Sequence, residues 1–389
     1  MACGKKISYP ISPPRPKKAL GVTLEDDIFD LIEDETTGKM NKVNKYTWLN
    51  ENQMKVEMID FGASVIAMEL PDKKGNVDDV VLGFNDFVQY YQKPSYYIGS
   101  TIGRVANRVA NAAFTIRDKT FRLDANISPH QLNGGSKGFD RALWSSRIED
   151  KRVVMSHHSP DNDAGYPGDV IVNAFFELTD DNEFVLEYRA YSTKPTWVNL
   201  TNQIYFNLAG HDTGATEMLN HVVSINAEYI WEANRLMIPT GHRIPIEESP
   251  FDLRQPRLLK QVFAKNPDMV GFDHNYCITT GEYQQDSFIA RVTHPASGRI
   301  LELYSNQPTV QFYTGNKLPV APENYKGDPK KLDTLVGKSL KNYNKHGGFC
   351  LSPQFYPDAP NHKDRVPHFL LNPGDIYYNT MRYKFFIQK

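Results

Sequence analysis

A strand-like apolar run near the end of the chain leads into a polar turn, an arrangement that can direct side chains into a pocket. Residues 347–361 read GGFCLSPQFYPDAPN, so the apolar FCL run is followed by Ser352, amides and an acid. A buried strand that opens into a polar loop is a common way to present functional groups. Hydroxyl, amide and carboxylate groups of this kind form hydrogen bonds with a polar ligand.

A second polar cluster lies in residues 99–116, GSTIGRVANRVANAAFTI. Gly103 lets the backbone approach another group closely, because glycine carries no side chain. Arg104 and Arg108 are four residues apart, so periodicity alone is compatible with a helical turn that holds both arginines on one solvated face. Spacing by itself therefore does not assign Arg108 to a site.

A third segment, residues 130–144, reads HQLNGGSKGFDRALW. Gly134 and Gly135 allow this loop to fold tightly over a ligand. His130 could reach back into such a site, but a histidine on a surface loop is the simpler expectation.

These stretches resemble the galactose mutarotase (aldose 1-epimerase) family, and they occur in the family's order. The turn at 347–361 is similar to the family's GFCLE-x-Q-x-xPDA-x-N signature, and residues 99–116 to its IGR-x-ANR-x-A motif. Residues 130–144 resemble its LHGG-x-x-GFD-x-x-x-W motif. Further similar stretches are GYPGDV at 165–170, VNLTNQIYFNLAG at 198–210, LMIPTGHRIP at 236–245, GFDHNYC at 271–277 and QFYTGN at 311–316.

The resemblance implies a set of sugar-binding residues. Asn107 and Arg108 match the family's Asn–Arg pair, Asp273 its substrate-binding aspartate and Gln311 its sugar-contacting amide. A guanidinium suits this role because its planar fork can hold two vicinal hydroxyls in a fixed geometry. The family's sugar-binding histidine falls on Asn133, which is one departure from the pattern.

Two further departures fall on the positions that carry the family's chemistry. Exchange of α and β anomers needs a base at the anomeric hydroxyl and an acid at the ring oxygen, and each such group contributes ~10²–10⁴-fold. Ser352 stands where the family has its catalytic glutamate, and Gln203 where it has its catalytic histidine. A serine without an adjacent base is not ionised at neutral pH, and a glutamine amide does not titrate.

Three functional hypotheses follow from this pattern of retained binding groups and missing proton-transfer groups. The first is a non-catalytic, mutarotase-like protein that binds a hexose or similar polyol, or serves a partner. The second is an altered isomerase, in which Asp273, His274, His130 or Tyr313 transfers protons for another hemiacetal or carbonyl substrate. The third is a residual aldose 1-epimerase that accelerates an already easy reaction by orientation and polarisation.

Each retained residue also has an ordinary structural explanation. Asp273 could cap a turn, Arg108 could form an internal ion pair, and Gln311 could satisfy buried backbone groups. His274, beside Asp273, is often structural in such a position. These explanations are plausible one by one, and the shared family order argues against all of them holding together.

Composition narrows the class of protein and its partners. Lys+Arg 44 against Asp+Glu 46 gives a net charge of −2, which does not favour nucleic acid or an anionic membrane surface. No run approaches the ~18 apolar residues of a membrane span. The first 18 residues, MACGKKISYPISPPRPKK, lack the apolar stretch of a secretory signal.

The cysteines indicate a cytoplasmic protein without a disulfide framework or a zinc site. Cys3, Cys277 and Cys350 are odd in number and widely spaced, which suits a reducing compartment. Cys277 and Cys350 are expected to be buried, inert thiols. No metal or cofactor is expected, and a protein partner stays open.

Alternating apolar residues and few helical patterns predict an all-β, antiparallel fold. Strands are expected within residues 55–70, 80–84, 165–178, 183–192, 299–316 and 375–387. The resemblance implies the β-supersandwich of the mutarotases, with one domain over residues 25–389. Residues 1–24 form a Pro- and Lys-rich segment expected to be flexible. Lys17 and Lys18 there could form a contact site, although a solvated tail is the simpler interpretation.

Overall fold

Strands form most of the regular structure in the computed structural model, which describes residues 21–33, 37–92, 96–279, 286–321, 324, 333–362 and 370–388. In the first half of the chain the strands are β1 (Thr23–Glu33), β2 (Met40–Leu49), β3 (Lys55–Ile59), β4 (Ser64–Pro71), β5 (Val77–Asp79), β6 (Thr101–Ile102), β7 (Arg108–Val109), β8 (Ala113–Ile116), β9 (Lys119–Arg122), β10 (Gln131–Leu132), β11 (Ser145–Glu149), β12 (Arg152–Ser159), β13 (Val170–Leu178) and β14 (Glu183–Ser192).

The second half continues in the same way. Its strands are β15 (Thr196–Trp197), β16 (Thr201–Asn202), β17 (Val222–Ile225), β18 (Ala227–Ala233), β19 (Pro239–Pro245), β20 (Arg257–Leu258), β21 (Asp273–Ile278), β22 (Ser287–His294), β23 (Arg299–Ser305), β24 (Thr309–Tyr313), β25 (Cys350–Gln354), β26 (Leu370–Leu371) and β27 (Tyr377–Ile387). The α-helices are short: α1 (Phe87–Gln92), α2 (Gly214–Met218) and α3 (Leu259–Lys265).

Three larger antiparallel sheets organise these strands. One has five strands in the order β1-β2-β3-β4-β5, and another has nine in the order β11-β12-β13-β14-β27-β23-β22-β17-β20. The third has five strands in the order β19-β18-β21-β24-β25. Two small two-stranded ladders, β7–β10 and β6–β16, lie next to the candidate site residues. Arg108 is in β7, Asn107 directly precedes β7, Asn133 directly follows β10, and Gln203 directly follows β16.

The main core is shared by all three sheets. Trp48 comes from the first sheet, Phe176 and Tyr383 from the second, and Tyr276 and Phe312 from the third, and all lie in one buried cluster. In β13 every second residue is buried, as expected of a strand that turns one face to the core. The all-β, antiparallel fold expected from the sequence is therefore confirmed.

Most strand predictions agree with the structure. Residues 55–70 form β3 and β4 around a turn at Gly62, whose φ of 64° suits glycine. Residues 165–178 and 183–192 contain the paired strands β13 and β14. Residues 299–316 contain β23 and β24, and the closing region contains β27.

The strand expected at residues 80–84 is wrong. Its apolar residues are buried, but their backbone groups bond to different neighbours in turn. The Val80 N–H donates to the Met68 carbonyl, whereas the Leu82 N–H donates to the Tyr205 carbonyl. The segment passes between two parts of the fold, so a continuous ladder with one partner does not form.

The expectations for the N-terminal segment fall mostly outside the described residues, which begin at residue 21; Lys17 and Lys18 are among those not covered. Thr23 and Leu24 belong to β1. Within the described chain, no helix has both the length and the apolar character needed to span a bilayer. Cys277 and Cys350 are buried free thiols, as expected.

Candidate functional site

Three neighbouring strands of the third sheet bring together residues that are far apart in sequence. In the ladder between β24 and β25, Gln311 lies directly opposite Ser352. In the ladder between β21 and β24, Asp273 lies opposite Tyr313. Residues that pair directly across an antiparallel ladder point to the same face, so Gln311 and Ser352 share one side of the sheet. Ser352 lies within β25 and not in the loop that follows it.

A second wall of the site comes from the ends of β7 and β10. The Asn133 N–H donates to the Asn107 carbonyl at 2.9 Å, and the Asn107 N–H donates to Asn133 Oδ1 at 2.8 Å. Both residues have positive φ, 66° for Asn107 and 53° for Asn133. Asparagine enters this region more readily than most residues, so the local backbone favours it at both positions.

A chain of side-chain hydrogen bonds joins the two walls. Asn107 Nδ2 donates to Gln311 Oε1 at 3.1 Å, and Gln311 Nε2 donates to Asp273 Oδ1 at 2.8 Å. The other oxygen of Asp273 lies 3.9 Å from Arg108 Nη2. The structure thus places Asn107, Arg108, Asn133, Asp273 and Gln311 in one continuous polar cluster, which we call the binding cluster.

Ser352 and Gln203 lie side by side next to this cluster, since Ser352 pairs with Gln311 across the β24–β25 ladder. Ser352 Oγ donates to the Asn202 carbonyl at 2.9 Å and lies 3.3 Å from Gln203 Oε1. Only 1 % of Ser352 is exposed, whereas Gln203 is half-buried. The two groups form a neutral pair, and neither can take up or release a proton near neutral pH.

The Gln203 amide is held by further buried neighbours. Tyr205 and Cys350 lie near it, and burial raises the pKa of the Tyr205 hydroxyl and of the Cys350 thiol well above their ordinary values. The Tyr205 hydroxyl also donates to the Tyr96 carbonyl at 2.9 Å. The surroundings of Gln203 therefore supply no readily ionised partner from these side chains.

Arg104 does not join the binding cluster, and the helical alternative for residues 99–116 is wrong. That stretch contains β6, β7 and β8 with a single 3₁₀ turn at Ala110–Ala112. Arg104 is 2 % exposed and donates to the backbone carbonyls of Pro167 and Gly168 and to Ser159. Burial lowers the pKa of Arg104 to about 10. This arginine ties a loop to the fold.

The other proton-transfer candidates have different environments. His130 was expected on the surface and is instead buried, with Nδ1 accepting from the Asn111 N–H at 2.9 Å. The ring of His274 packs on the ring of Phe251 with 4.2 Å between the two ring centroids, and burial lowers the pKa of His274 to about 4. Burial also raises the pKa of Tyr313 well above that of an exposed phenol. The surface expectation for His130 is wrong because its loop folds back onto the 3₁₀ turn at Ala110–Ala112, which contains Asn111.

Sequence reasoning missed two polar residues at the site. The Tyr97 hydroxyl lies near the side chains of Asn126 and Asn133, and burial raises the pKa of Tyr97 well above that of an exposed phenol. Lys317 interacts electrostatically with Arg108 and Asp273, and burial lowers its pKa. Lys317 directly follows the QFYTGN motif, so its adjacency to a family stretch was the available signal. For Tyr97 the only signal was an aromatic segment that begins at Phe87.

A metal centre has no support in this site. Among the residues that the structure describes, no group of three or more His, Cys, Asp or Glu side chains is arranged to hold a metal ion. The cluster instead offers amides, one guanidinium and one carboxylate, which suit hydrogen bonding to the hydroxyls of a polar ligand.

Comparisons of the amino-acid sequence with known proteins show which family the chain belongs to. A family model described as aldose 1-epimerase matches residues 44–384. The chain belongs to the aldose 1-epimerase family. It is 42 % identical over 340 residues to the galactose mutarotase of Bos taurus, covering 87 % of this chain and 92 % of that protein. It is 30 % identical over 344 residues to the aldose 1-epimerase of Escherichia coli, covering 87 % and 94 %.

Solved structures support the same fold. An aldose epimerase homologue from C. elegans has a TM-score of 0.77 at 27 % identity, covering 87 % of this chain and 97 % of that one. Galactose 1-epimerase from Lactobacillus acidophilus has a TM-score of 0.74 at 21 % identity, covering 94 % and 100 %. The galactose mutarotase-like supersandwich expected from the sequence is therefore confirmed.

Proposed function

We propose that this aldose 1-epimerase family member binds a carbohydrate, a hexose or similar polyol, without catalysing its mutarotation. The observation that carries the proposal is the contact between Ser352 and Gln203, two neutral side chains at the positions where the resemblance assigns the base and the acid. The binding cluster around them keeps its amides, guanidinium and carboxylate.

The chemistry of the neutral pair supports binding over turnover. A base must accept the proton of the anomeric hydroxyl, and an acid must protonate the ring oxygen. Ser352 Oγ already donates to the Asn202 carbonyl, and Gln203 cannot ionise. Both can still hydrogen-bond a ligand, because a hydroxyl oxygen and an amide retain acceptor or donor capacity.

The half-buried state of the cluster supports a ligand site. Asn133, Gln203, Asp273 and Gln311 are each partly exposed, while Asn107 and Arg108 are buried. Polar groups arranged in this way can exchange bound water for sugar hydroxyls without a large rearrangement of the fold.

The deciding experiment follows anomer exchange of freshly dissolved α-D-galactose and α-D-glucose by NMR, with purified protein and with buffer alone. Ligand-observed NMR titrations of the same sugars measure binding in parallel. We expect saturable binding and an exchange rate equal to that of buffer. Acceleration that saturates with substrate would refute the non-catalytic proposal, and absence of binding to any sugar would refute the binding proposal.

A second candidate is an active epimerase or isomerase with a relocated acid–base pair. It is favoured by the 42 % identity to a protein named galactose mutarotase and by the carboxylate of Asp273 in the cluster. If it holds, catalysis has a bell-shaped pH dependence and is lost in Asp273→Asn. Catalysis that survives this substitution would exclude Asp273 as the relocated group.

A cytoplasmic location accompanies this proposal. Cys277 and Cys350 are unpaired and buried, which suits a reducing compartment. Fractionation of cells that express the full chain, with detection in the cytosolic fraction, tests it; recovery only from the secretory pathway would contradict it.

A further inference from the structure

Arg108 is a buried cation with few partners. Its exposed fraction is 6 %, and Nε has no hydrogen-bond partner among the described residues. Nη1 makes one long hydrogen bond of 3.3 Å to Asn107 Oδ1, and Nη2 lies 3.9 Å from Asp273 Oδ2. A guanidinium has five N–H donors, and a buried charge without close partners is unfavourable.

Arg104 shows how the same fold satisfies a buried guanidinium when its role is structural. Its Nε and both terminal nitrogens all donate to oxygen atoms, at distances between 2.6 and 3.2 Å. Arg108 lies four residues away and is almost as buried. The difference indicates that donor groups of Arg108 are left for something that is not part of the chain.

A second cation, Lys317, lies beside the site. Its backbone N–H donates at 2.7 Å to the hydroxyl of Tyr313, which lies opposite Asp273 in the ladder between β21 and β24. Lys317 interacts electrostatically with Arg108 and with Asp273. Among the described residues, no carboxylate lies within 4.0 Å of its ammonium group. The single carboxylate of Asp273 is itself partly engaged, because Oδ1 accepts from Gln311 Nε2 at 2.8 Å. Arg108 and Lys317, two positive charges, thus interact with the single negative charge of Asp273.

The third observation is the missing glutamate. Ser352 occupies the position where the family resemblance places a carboxylate, and Ser352 is neutral. Relative to that pattern, the site has one negative charge fewer, while Arg108 and Asp273 are retained. Arg108, Lys317 and Asp273 together then carry one net positive charge. The Tyr313 hydroxyl nearby is uncharged, since burial and Asp273 keep it protonated.

We propose that the site selects an anionic sugar, a uronate or a sugar phosphate, whose negative group pairs with Arg108 and Lys317. The inference rests on the proposed carbohydrate-binding function and names its ligand class. Carboxylate and phosphate both match the planar fork of a guanidinium, and such charge-assisted hydrogen bonds are stronger than those to a hydroxyl. The remaining amides of the cluster would hold the sugar hydroxyls.

Calorimetric titrations of the full chain test this with matched ligands: D-galactose, D-glucose, D-galacturonate, glucose 6-phosphate and inorganic phosphate. We expect at least one anionic sugar to bind about tenfold or more tightly than its neutral parent. The difference should shrink as salt rises from about 20 to about 200 mM, because salt screens a partly exposed charge pair. Comparing the affinity for D-galacturonate with the affinity for glucose 6-phosphate shows which anionic group is preferred.

Three variants connect the preference to the named residues. Arg108→Met should remove about tenfold or more of the affinity for the anionic sugar, and Lys317→Gln a smaller part. Lys74→Gln, at an exposed turn, changes the net charge equally and should leave the affinity unchanged. Thermal melts of each variant confirm that the fold is intact before binding is compared.

The outcomes separate this inference from the function on which it rests. Neutral sugars that bind as tightly as anionic ones would overturn the anionic preference and leave carbohydrate binding in place. No binding of any sugar would overturn both. Inorganic phosphate that binds as tightly as glucose 6-phosphate would keep an anion site and overturn the carbohydrate assignment.

Discussion

Ser352 Oγ lies 3.3 Å from Gln203 Oε1, so the residues at the two positions assigned to proton transfer contact each other. The same hydroxyl donates to the Asn202 carbonyl at 2.9 Å. In the neighbouring binding cluster, side-chain hydrogen bonds connect Asn107 to Gln311 and Gln311 to Asp273. The site combines a connected set of polar side chains with a pair of neutral side chains beside it.

Ser352 and Gln203 suggest an experiment that restores the family's two proton-transfer groups. Ser352→Glu combined with Gln203→His puts a carboxylate and an imidazole where the family pattern has them. We expect a partial gain of mutarotase activity, measured as saturable anomer exchange of α-D-galactose. The single variants serve as controls and should each give much less, because both proton transfers are needed.

The double variant is also expected to be less stable. Removing the Ser352 hydroxyl leaves the buried Asn202 carbonyl without this donor, which costs about 1–3 kcal/mol. A folded double variant with no gain of activity would show that more than these two residues separates the site from an active one.

The two arginines of the 99–116 segment should respond differently to the same substitution. Arg104→Met leaves several buried carbonyl oxygens without donors, and we expect it to lower the free energy of unfolding by about 3–5 kcal/mol. Arg108→Met removes a poorly partnered charge and should change that free energy by less than about 1 kcal/mol. Urea denaturation of both variants measures the contrast, and equal losses would contradict the structural assignment of Arg104.

Gly134 and Gly75 provide a matched pair for the loop that carries Asn133. Both have a φ of 88°, so alanine is strained at either position, by roughly 1–2 kcal/mol. At Gly134 an added Cβ would also lie 1.9 Å from the Gly103 carbonyl oxygen, whereas at Gly75 nothing lies within 4 Å. We expect Gly75→Ala to cost only the strain and Gly134→Ala to cost about 3 kcal/mol or more.

The comparison of the two alanine variants has a binding readout as well. Because Asn133 directly precedes Gly134, displacement of this loop should weaken ligand binding, while Gly75→Ala should leave it unchanged. Equal stability losses in the two variants would mean that the loop relaxes around the added methyl group.

Asp140 should make stability depend on pH. Burial raises the pKa of Asp140 from 3.8 to about 7, and its Oδ1 has no hydrogen-bond partner among the described residues. The folded state therefore keeps the proton longer than the unfolded state. The stabilising contribution is complete below about pH 4 and is lost as pH rises through about 7.

Asp140→Asn removes this dependence. The free energy of unfolding of the variant, relative to the unmodified chain, should rise by as much as about 4 kcal/mol between about pH 4 and about pH 8. Asp118→Asn, at an exposed position, is the control and should show no such rise. A flat difference for Asp140→Asn across this range would show that the carboxyl is ionised in the folded protein.

The amino-acid sequence was sufficient to predict the fold class, the family and most of the strands. Alternation of apolar residues fixes which face of a strand is buried, as in β13, and ordered motifs identify the family. It failed at residues 80–84, where burial is encoded locally but the change of hydrogen-bond partners is not. It also failed for His130, whose burial depends on where its loop folds.

The contacts among the site residues could not be predicted from the sequence, because they join residues that are far apart along the chain. Asn107 and Gln311 are 204 residues apart in sequence, and Ser352 and Gln203 are 149 apart. Local periodicity could not distinguish Arg104 from Arg108, because their difference lies in the oxygen atoms that distant segments bring to each guanidinium. Pairing, burial and charge balance in a site are long-range properties, and they become defined when the sheets pack together.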